Sequence, residues 1–167
     1  MISFRCIGQA SSAFAALGSV PFKANDKIFS REGGLVFATY TGEEWQGELV
    51  TTGLFHAKGY KVYFTGTDGS VIKQAGDPHL PVEDVMLSAG WNWLGHAPLG
   101  NYDINSGIAV VNGQFTVDDM IKTRSGSALI SSSYDGSQFQ GELSELEPGV
   151  GYEIRVAQAV AFRYTSS

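Results

Sequence analysis

The sequence predicts a mostly β protein: two tandem, pseudo-symmetric domains, each a small sandwich or barrel, with little helix. Three observations lead there. A phrase is used twice, EEWQGEL at 43–49 and SQFQGEL at 137–143. Short segments such as KVYFTG and YEIRVA alternate apolar and polar residues with period two, as half-buried strands do. Twenty-one glycines against 5 prolines punctuate these segments without making the chain low-complexity.

The two phrases lie 94 residues apart, and other landmarks recur near that spacing. Asp26, Ile28 and Arg31 match Asp119, Ile121 and Arg124 at an offset of 93, and Gly59-Tyr60 matches Gly151-Tyr152 at 92. At the front, Phe4 to Ala10 is expected to lie over Trp91 to Ala97 at 87, which requires about six extra residues in GNYDINSGIAVVNGQ. A period near 90 exceeds the roughly 20–50 residues of solenoid and propeller repeats, so two copies of one small domain is the better reading. The expected division is a first β repeat at 1–74, a linker at 75–84 within QAGDPHLPVED, and a second β repeat at 85–167 ending in a strand or arm.

In chain order, SSAFAALG fits one or two helical turns, whereas its counterpart between Gly100 and Gly113 is too rich in Gly and Asn for that. LVFATY, SALISSSY and AVAFRY are short, β-branched or aromatic, and bounded by Gly, Ser or Asp. TGEEW and YDGSQF fit hairpin turns, with Gly42 and Gly136 free to take positive φ. Recurrent residues are the expected repeat core: Trp45, Gly47, Leu49 and Tyr60 in the first half, and Phe139, Gly141, Leu143, Pro148, Gly149 and Tyr152 in the second. Trp91, Trp93 and Gly95 join them from GWNWLG. Trp91 and Trp93 alternate, so on a strand they share a face. Exposed, they form an aromatic platform; their expected counterparts Phe4 and Cys6 favour core or inter-domain packing instead.

Composition narrows the function. The 167 residues are 43% apolar and 17% charged, with a formal net charge of −6. That sign argues against nucleic acid and anionic lipid as partners. No apolar run approaches the roughly 18–20 residues of a membrane-spanning helix, so no membrane insertion is expected. Cys6 is the single cysteine, which excludes an intramolecular disulfide. The opening MISFRCIGQASSAFAALG lacks the layout of a secretory signal and reads as a cut within a folded module.

Chemistry is sparse. His56, His79 and His96 form no H-x-x-x-H pair and read as turn or surface residues. Glu48 and Glu142 are equivalent carboxylates, but one per copy at the same place reads as a solvated strand position rather than an acid/base pair. Asp26 and Asp119 are expected to bond neighbouring backbone amides. GTDGS lacks the later ligands of a calcium loop, and no phosphate loop, dinucleotide fingerprint or nucleophile elbow occurs. The expectation is a non-enzyme with no catalytic, cofactor-binding or metal-binding residues.

The second half carries GWNWLG, then DDMIK, then FQGELSELEPGVGY. This pattern resembles modules found in tandem in surface proteins of marine bacteria and in proteins of diatoms and related algae. A chain of two such modules is similar to the diatom pyrenoid shell (PyShell) family. The resemblance covers nearly the whole chain, though the first copy lacks the Trp-Asn-Trp and Pro-Gly elements. It implies a self-assembling structural protein that forms a sheet or tube around the Rubisco condensate and supports carbon concentration. Its partner is then itself, with Rubisco or the pyrenoid matrix touched indirectly. Its location is the chloroplast stroma at the pyrenoid periphery, after removal of a targeting sequence. In that setting Ala159, Val160, Phe162 and Tyr164 of the apolar tail are expected assembly contacts. The alternative expectation is a glycan-binding module of a secreted or cell-surface protein.

Overall fold

The computed structural model describes residues 2–3, 17, 20–55, 57–66, 83–96 and 98–165. Phe4, Cys6, most of SSAFAALG, His56, His79, all of GTDGS but Gly66, and residues 75–82 of the expected linker lie outside the described residues. Among those described, 52% are strand and 4% helix, in antiparallel sheets of β-sandwich character.

The first repeat contributes β1 (Ile2–Ser3), β2 (Lys27–Tyr40), β3 (Trp45–Gly47), the short helix α1 (Glu48–Thr52) and β4 (Gly59–Tyr63). The second contributes β5 (Val85–Leu87), β6 (Gly90–Gly95), β7 (Tyr102–Asp103), β8 (Ile108–Asn112), β9 (Met120–Ser125), β10 (Ala128–Tyr134), β11 (Phe139–Gly141), β12 (Glu145–Leu146), β13 (Gly151–Val156) and β14 (Val160–Tyr164). One large sheet runs β1-β4-β2-β6-β13-β9-β10-β11, with β3 also on β2. A smaller sheet, β5-β14-β8, faces it in the second repeat. Leu94, Ile121, Tyr152 and Ile154 from the large sheet meet Val85, Leu87, Val160 and Phe162 from the small one in a single apolar cluster. The first repeat has its own cluster around Ile28, Leu49, Leu54 and Tyr60.

Strand β2 doubles back on itself. The Tyr40 amide donates to the Asp26 carbonyl and the Asn25 amide to the Tyr40 carbonyl, so its two ends lie side by side. The reversal is at Gly33, φ 77°. Its counterpart is the β9–β10 hairpin, reversing at Gly126, φ 61°.

The repeated residues hold repeated bonds. The Asp26 carboxylate accepts from the Lys23 and Thr65 amides; the Asp119 carboxylate accepts from those of Thr116 and Ala157, the matching positions. Burial works to raise the Asp26 carboxyl, but these amides and the Thr65 hydroxyl outweigh it and hold it below its usual range. The Tyr60 hydroxyl accepts from the Phe55 amide and the Tyr152 hydroxyl from the Glu147 amide, each 2.7 Å and five residues upstream. Such a tyrosine corner pins the chain entering a strand to its own core.

QGEL recurs for a backbone reason. Gly47 and Gly141 sit at φ 129° and 152°, and a Cβ on either would collide with the carbonyl of the paired strand, Phe37 or Ser131. Past the glycine the two copies part: Glu48 opens α1, whereas Glu142 is an exposed bend. Both expected turn glycines, Gly42 and Gly136, take positive φ, 106° and 105°. Trp45 packs edge-on against Phe22, while Phe139, Leu143 and Leu49 are buried; Pro148 is half-buried and Gly149 exposed.

Three expectations are corrected. Ile2 pairs with Tyr60 as Leu94 pairs with Tyr152, so the fronts of the repeats correspond at 92, not 87. Phe4 and Cys6 are therefore not the counterparts of the two tryptophans, and the six-residue insertion falls away. Val160, Phe162 and Tyr164 are not free for a neighbour: they are 2%, 1% and 6% exposed, within the apolar cluster of their own repeat. Only Ala159 of the expected contacts is exposed. His96, read as a surface residue, is fully buried. Its imidazole spans Tyr164 Oη at 3.2 Å and the Gly100 carbonyl at 2.8 Å.

Deleting Ala159–Ser167 removes the middle strand of the small sheet, so far-UV circular dichroism should show loss of the β fold. Phe162→Ala alone should cost about 3–5 kcal/mol in denaturant unfolding. Alkaline pH should destabilise the fold as well. Burial pushes the Tyr152 phenol up to about 12, and Tyr60 and Tyr164 well above their ordinary value. A phenol with a raised folded pKa holds its proton more tightly when folded. Its contribution is therefore complete below about pH 10 and lost as pH rises through the folded value. Melting temperatures recorded from pH 8 to 12 should fall only above about pH 10.

Candidate functional site

The most distinctive constellation is the junction between repeats, built around β6. Within the first repeat, β2 pairs with β4 only at Lys27, Ile28 and Phe29. Beyond that the two diverge, the Ser30 hydroxyl bridging to the Gly59 carbonyl at 3.1 Å. This leaves an open mouth with two lips, Glu32-Gly33 on β2 and Ala57-Lys58 ahead of β4. Strand β6 of the second repeat lies across it. Asn92 and Trp91 pair with Glu32 and Gly33, Leu94 bridges to Lys58, and the Gly95 amide donates to the Ala57 carbonyl at 3.1 Å. A Glu32–Lys58 ion pair of 2.8 Å ties one lip to the other.

Two glycines here have different reasons. A Cβ on Gly33 would stand 2.9 Å from the Ala89 carbonyl, whereas Gly90 is set by its backbone, φ 98°, with room for a Cβ beside Gly33. Asn92, missed by sequence reasoning as a structural residue, is 3% exposed. Its amide group accepts from the Ser88 amide and donates to the Ser88 and Gly90 carbonyls, shaping the turn into β6. Alternation carried the signal: Asn92 and Leu94 share the core face of β6, opposite Trp91 and Trp93.

On that opposite face the tryptophans are packed rather than free. Trp93 is 7% exposed, and Lys61, from the first repeat, places its ammonium 4.3 Å from the ring centre. Lys122 does the same over Trp91 at 4.2 Å. Glu153 lies between, bonded to Lys61 at 2.8 Å and Lys122 at 3.2 Å. Burial tends to raise its carboxyl, but the two lysines outweigh that and hold it below its ordinary value. Trp93 thus packs between repeats, as a Lys–Glu–Lys row over two indoles links β4, β13 and β9. Cation–π contacts of this kind contribute roughly 0.5–2 kcal/mol each.

Beside this row, a cleft of about 460 Å³ opens mainly on the second repeat, lined by Lys122, Arg124, Leu129, Val150 and Glu153 together with Lys61 of the first. No protein-family model, curated protein or solved structure matches the chain.

Gly33→Val should weaken the junction, because the new side chain meets the Ala89 backbone at an unfavourable φ. The expected loss exceeds about 1 kcal/mol, against near-neutrality for Gly34→Val, where nothing lies within 4 Å. Urea unfolding followed by tryptophan fluorescence measures both.

Proposed function

We propose that the chain is a non-enzymatic structural protein that self-assembles into a sheet or tube enclosing the pyrenoid, the Rubisco condensate of the chloroplast. The resemblance of GWNWLG, DDMIK and FQGELSELEPGVGY to diatom shell modules supports this reading. The observation that carries it is the open course of the large sheet. It begins at β1 and ends at β11 without closing, so the described residues present an unpaired edge at each extremity. Unpaired edges template pairing with further copies, and two different edges on one chain make a contact that propagates rather than closes.

Exposed apolar residues add to the case. Leu35, Phe37 and Tyr63 in the first repeat and Val110, Val111 and Leu129 in the second are 43–56% exposed, all on strands. They offer area to bury once chains meet. The glycan-binding alternative leans on Trp91 and Trp93 as a platform, but a lysine ammonium already occupies a face of each ring.

Negative-stain electron microscopy and light scattering on the purified chain test the proposal. Sheets or tubes should form without any ligand. A monodisperse monomer across salt and concentration, with tryptophan fluorescence that shifts on adding polysaccharide, would favour the glycan module instead.

A further inference from the structure

The two repeats are built alike, yet among the described residues only one of their mouths is filled. In the second repeat β9 pairs with β13 only at Met120, Ile121 and Lys122, matching β2 and β4 residue for residue. The strands then diverge in the same way, with the Thr123 hydroxyl bridging to the Gly151 carbonyl at 2.8 Å where Ser30 bridges to Gly59. The lips of this second mouth are Ser125-Gly126 and Gly149-Val150, the counterparts of Glu32-Gly33 and Ala57-Lys58. The 460 Å³ cleft opens at this mouth: it takes in Thr123-Arg124, just ahead of one lip, and Gly149-Val150, the other, with Lys61 of the first repeat also on its wall.

Burial follows occupancy. Arg31, Glu32 and Gly33 are half-buried beneath β6, whereas their counterparts Arg124, Ser125 and Gly126 are exposed. The lips differ as well: the Glu32–Lys58 ion pair has Ser125 and Val150 in its place. The two lip positions of the second mouth are therefore uncharged, Ser125 and Val150.

We infer that the mouth of the second repeat is a docking cleft for strand β1 of another copy of this chain. The register identifies the occupant. Ile2 and Ser3 hold against Tyr60 and Gly59 the positions that Leu94 and Gly95 hold against Tyr152 and Gly151. Strand β6 spends its far edge in the first mouth, and β1, which ends the sheet, has that same edge unpaired among the described residues. Among the described residues, then, the chain presents one unfilled cleft and one strand, Ile2–Ser3, whose free edge corresponds to the Leu94-Gly95 part of β6 that meets the Ala57-Lys58 lip. Repeating the internal contact sets Ile2 of one chain opposite Val150 of the next, with the Ser3 amide donating to the Gly149 carbonyl. The result is head-to-tail addition of a strand, a heterologous contact that extends without closing. The inference rests on the assembly reading and names the contact by which chains join.

Cross-linking tests it. In the internal junction the Gly95–Ala57 bond flanks the Lys58–Leu94 pair, which makes that pair the close, non-hydrogen-bonded kind, with Cα atoms about 4.5 Å apart. That spacing is within reach of a disulfide. In a Cys6→Ser background, chains carrying Ile2→Cys and Val150→Cys are mixed under mild oxidation. A covalent dimer of one chain of each kind is expected, and a ladder of multimers from the double variant. Ile2→Cys mixed with Val117→Cys, a control at an exposed turn, should give neither. Arg124→Trp fills the cleft from an exposed position and should abolish large particles in light scattering while leaving the melting temperature unchanged. Wild-type particles together with no selective cross-link and normal assembly of Arg124→Trp would overturn the docking inference and leave the shell proposal standing. A wild-type monomer that also fails to cross-link would overturn both.

Discussion

A diverging pair of strands leaves backbone groups that need another partner wherever water cannot reach them. Where β2 and β4 separate, their backbone amides and carbonyls lose each other as partners, and a buried unpaired group costs about 1–3 kcal/mol. Strand β6 resolves that by lying across the gap and bonding both lips. The large sheet becomes continuous from one repeat to the next through this contact, and the position of Lys61 over Trp93 depends on it. So do the close passage of Gly33 against Ala89 and the shaped turn held by Asn92. The repeats are thus joined by backbone geometry that the module itself creates, and the same geometry at the far end leaves a cleft of the same form.

Much of the fold was legible because the backbone requirements recur with the sequence. The glycine of QGEL has no room for a Cβ in either repeat, so the phrase survives in both places with different neighbours. Asp26 and Asp119 had to be short acceptors because two amides converge on each. Tyr60 and Tyr152 recur because each ties a strand entry to the core. In all these cases one local geometry demands one residue type, which a comparison of two copies exposes.

Other features were illegible for equally physical reasons. The front alignment went astray because Gly8 and Gly95 look alike in sequence, whereas strand pairing depends on register, set by tyrosines far along the chain. The apolar tail looked surplus because its partners Val85, Leu87 and Ile108 belong to strands distant in sequence. His96 reads as a surface residue from composition alone; only the folded chain brings Tyr164 and the Gly100 carbonyl to its two ring nitrogens. The site was the hardest part, since a mouth between strands is made of backbone, and backbone leaves little mark on side-chain pattern. The outer face of β6 offered a clue in Trp91 and Trp93, but their lysine partners come from strands a sequence does not place beside them.

The central claim is that β6 holds the repeats together by filling the mouth of the first. Hydrogen exchange at the Gly95 amide reads that contact directly, because its acceptor is the Ala57 carbonyl of the other repeat. The account predicts protection close to that of the Tyr134 amide, which is bonded within the second repeat to the Asp119 carbonyl. Rapid exchange at Gly95 while Tyr134 stays protected would show the repeats separating in solution, and would contradict it.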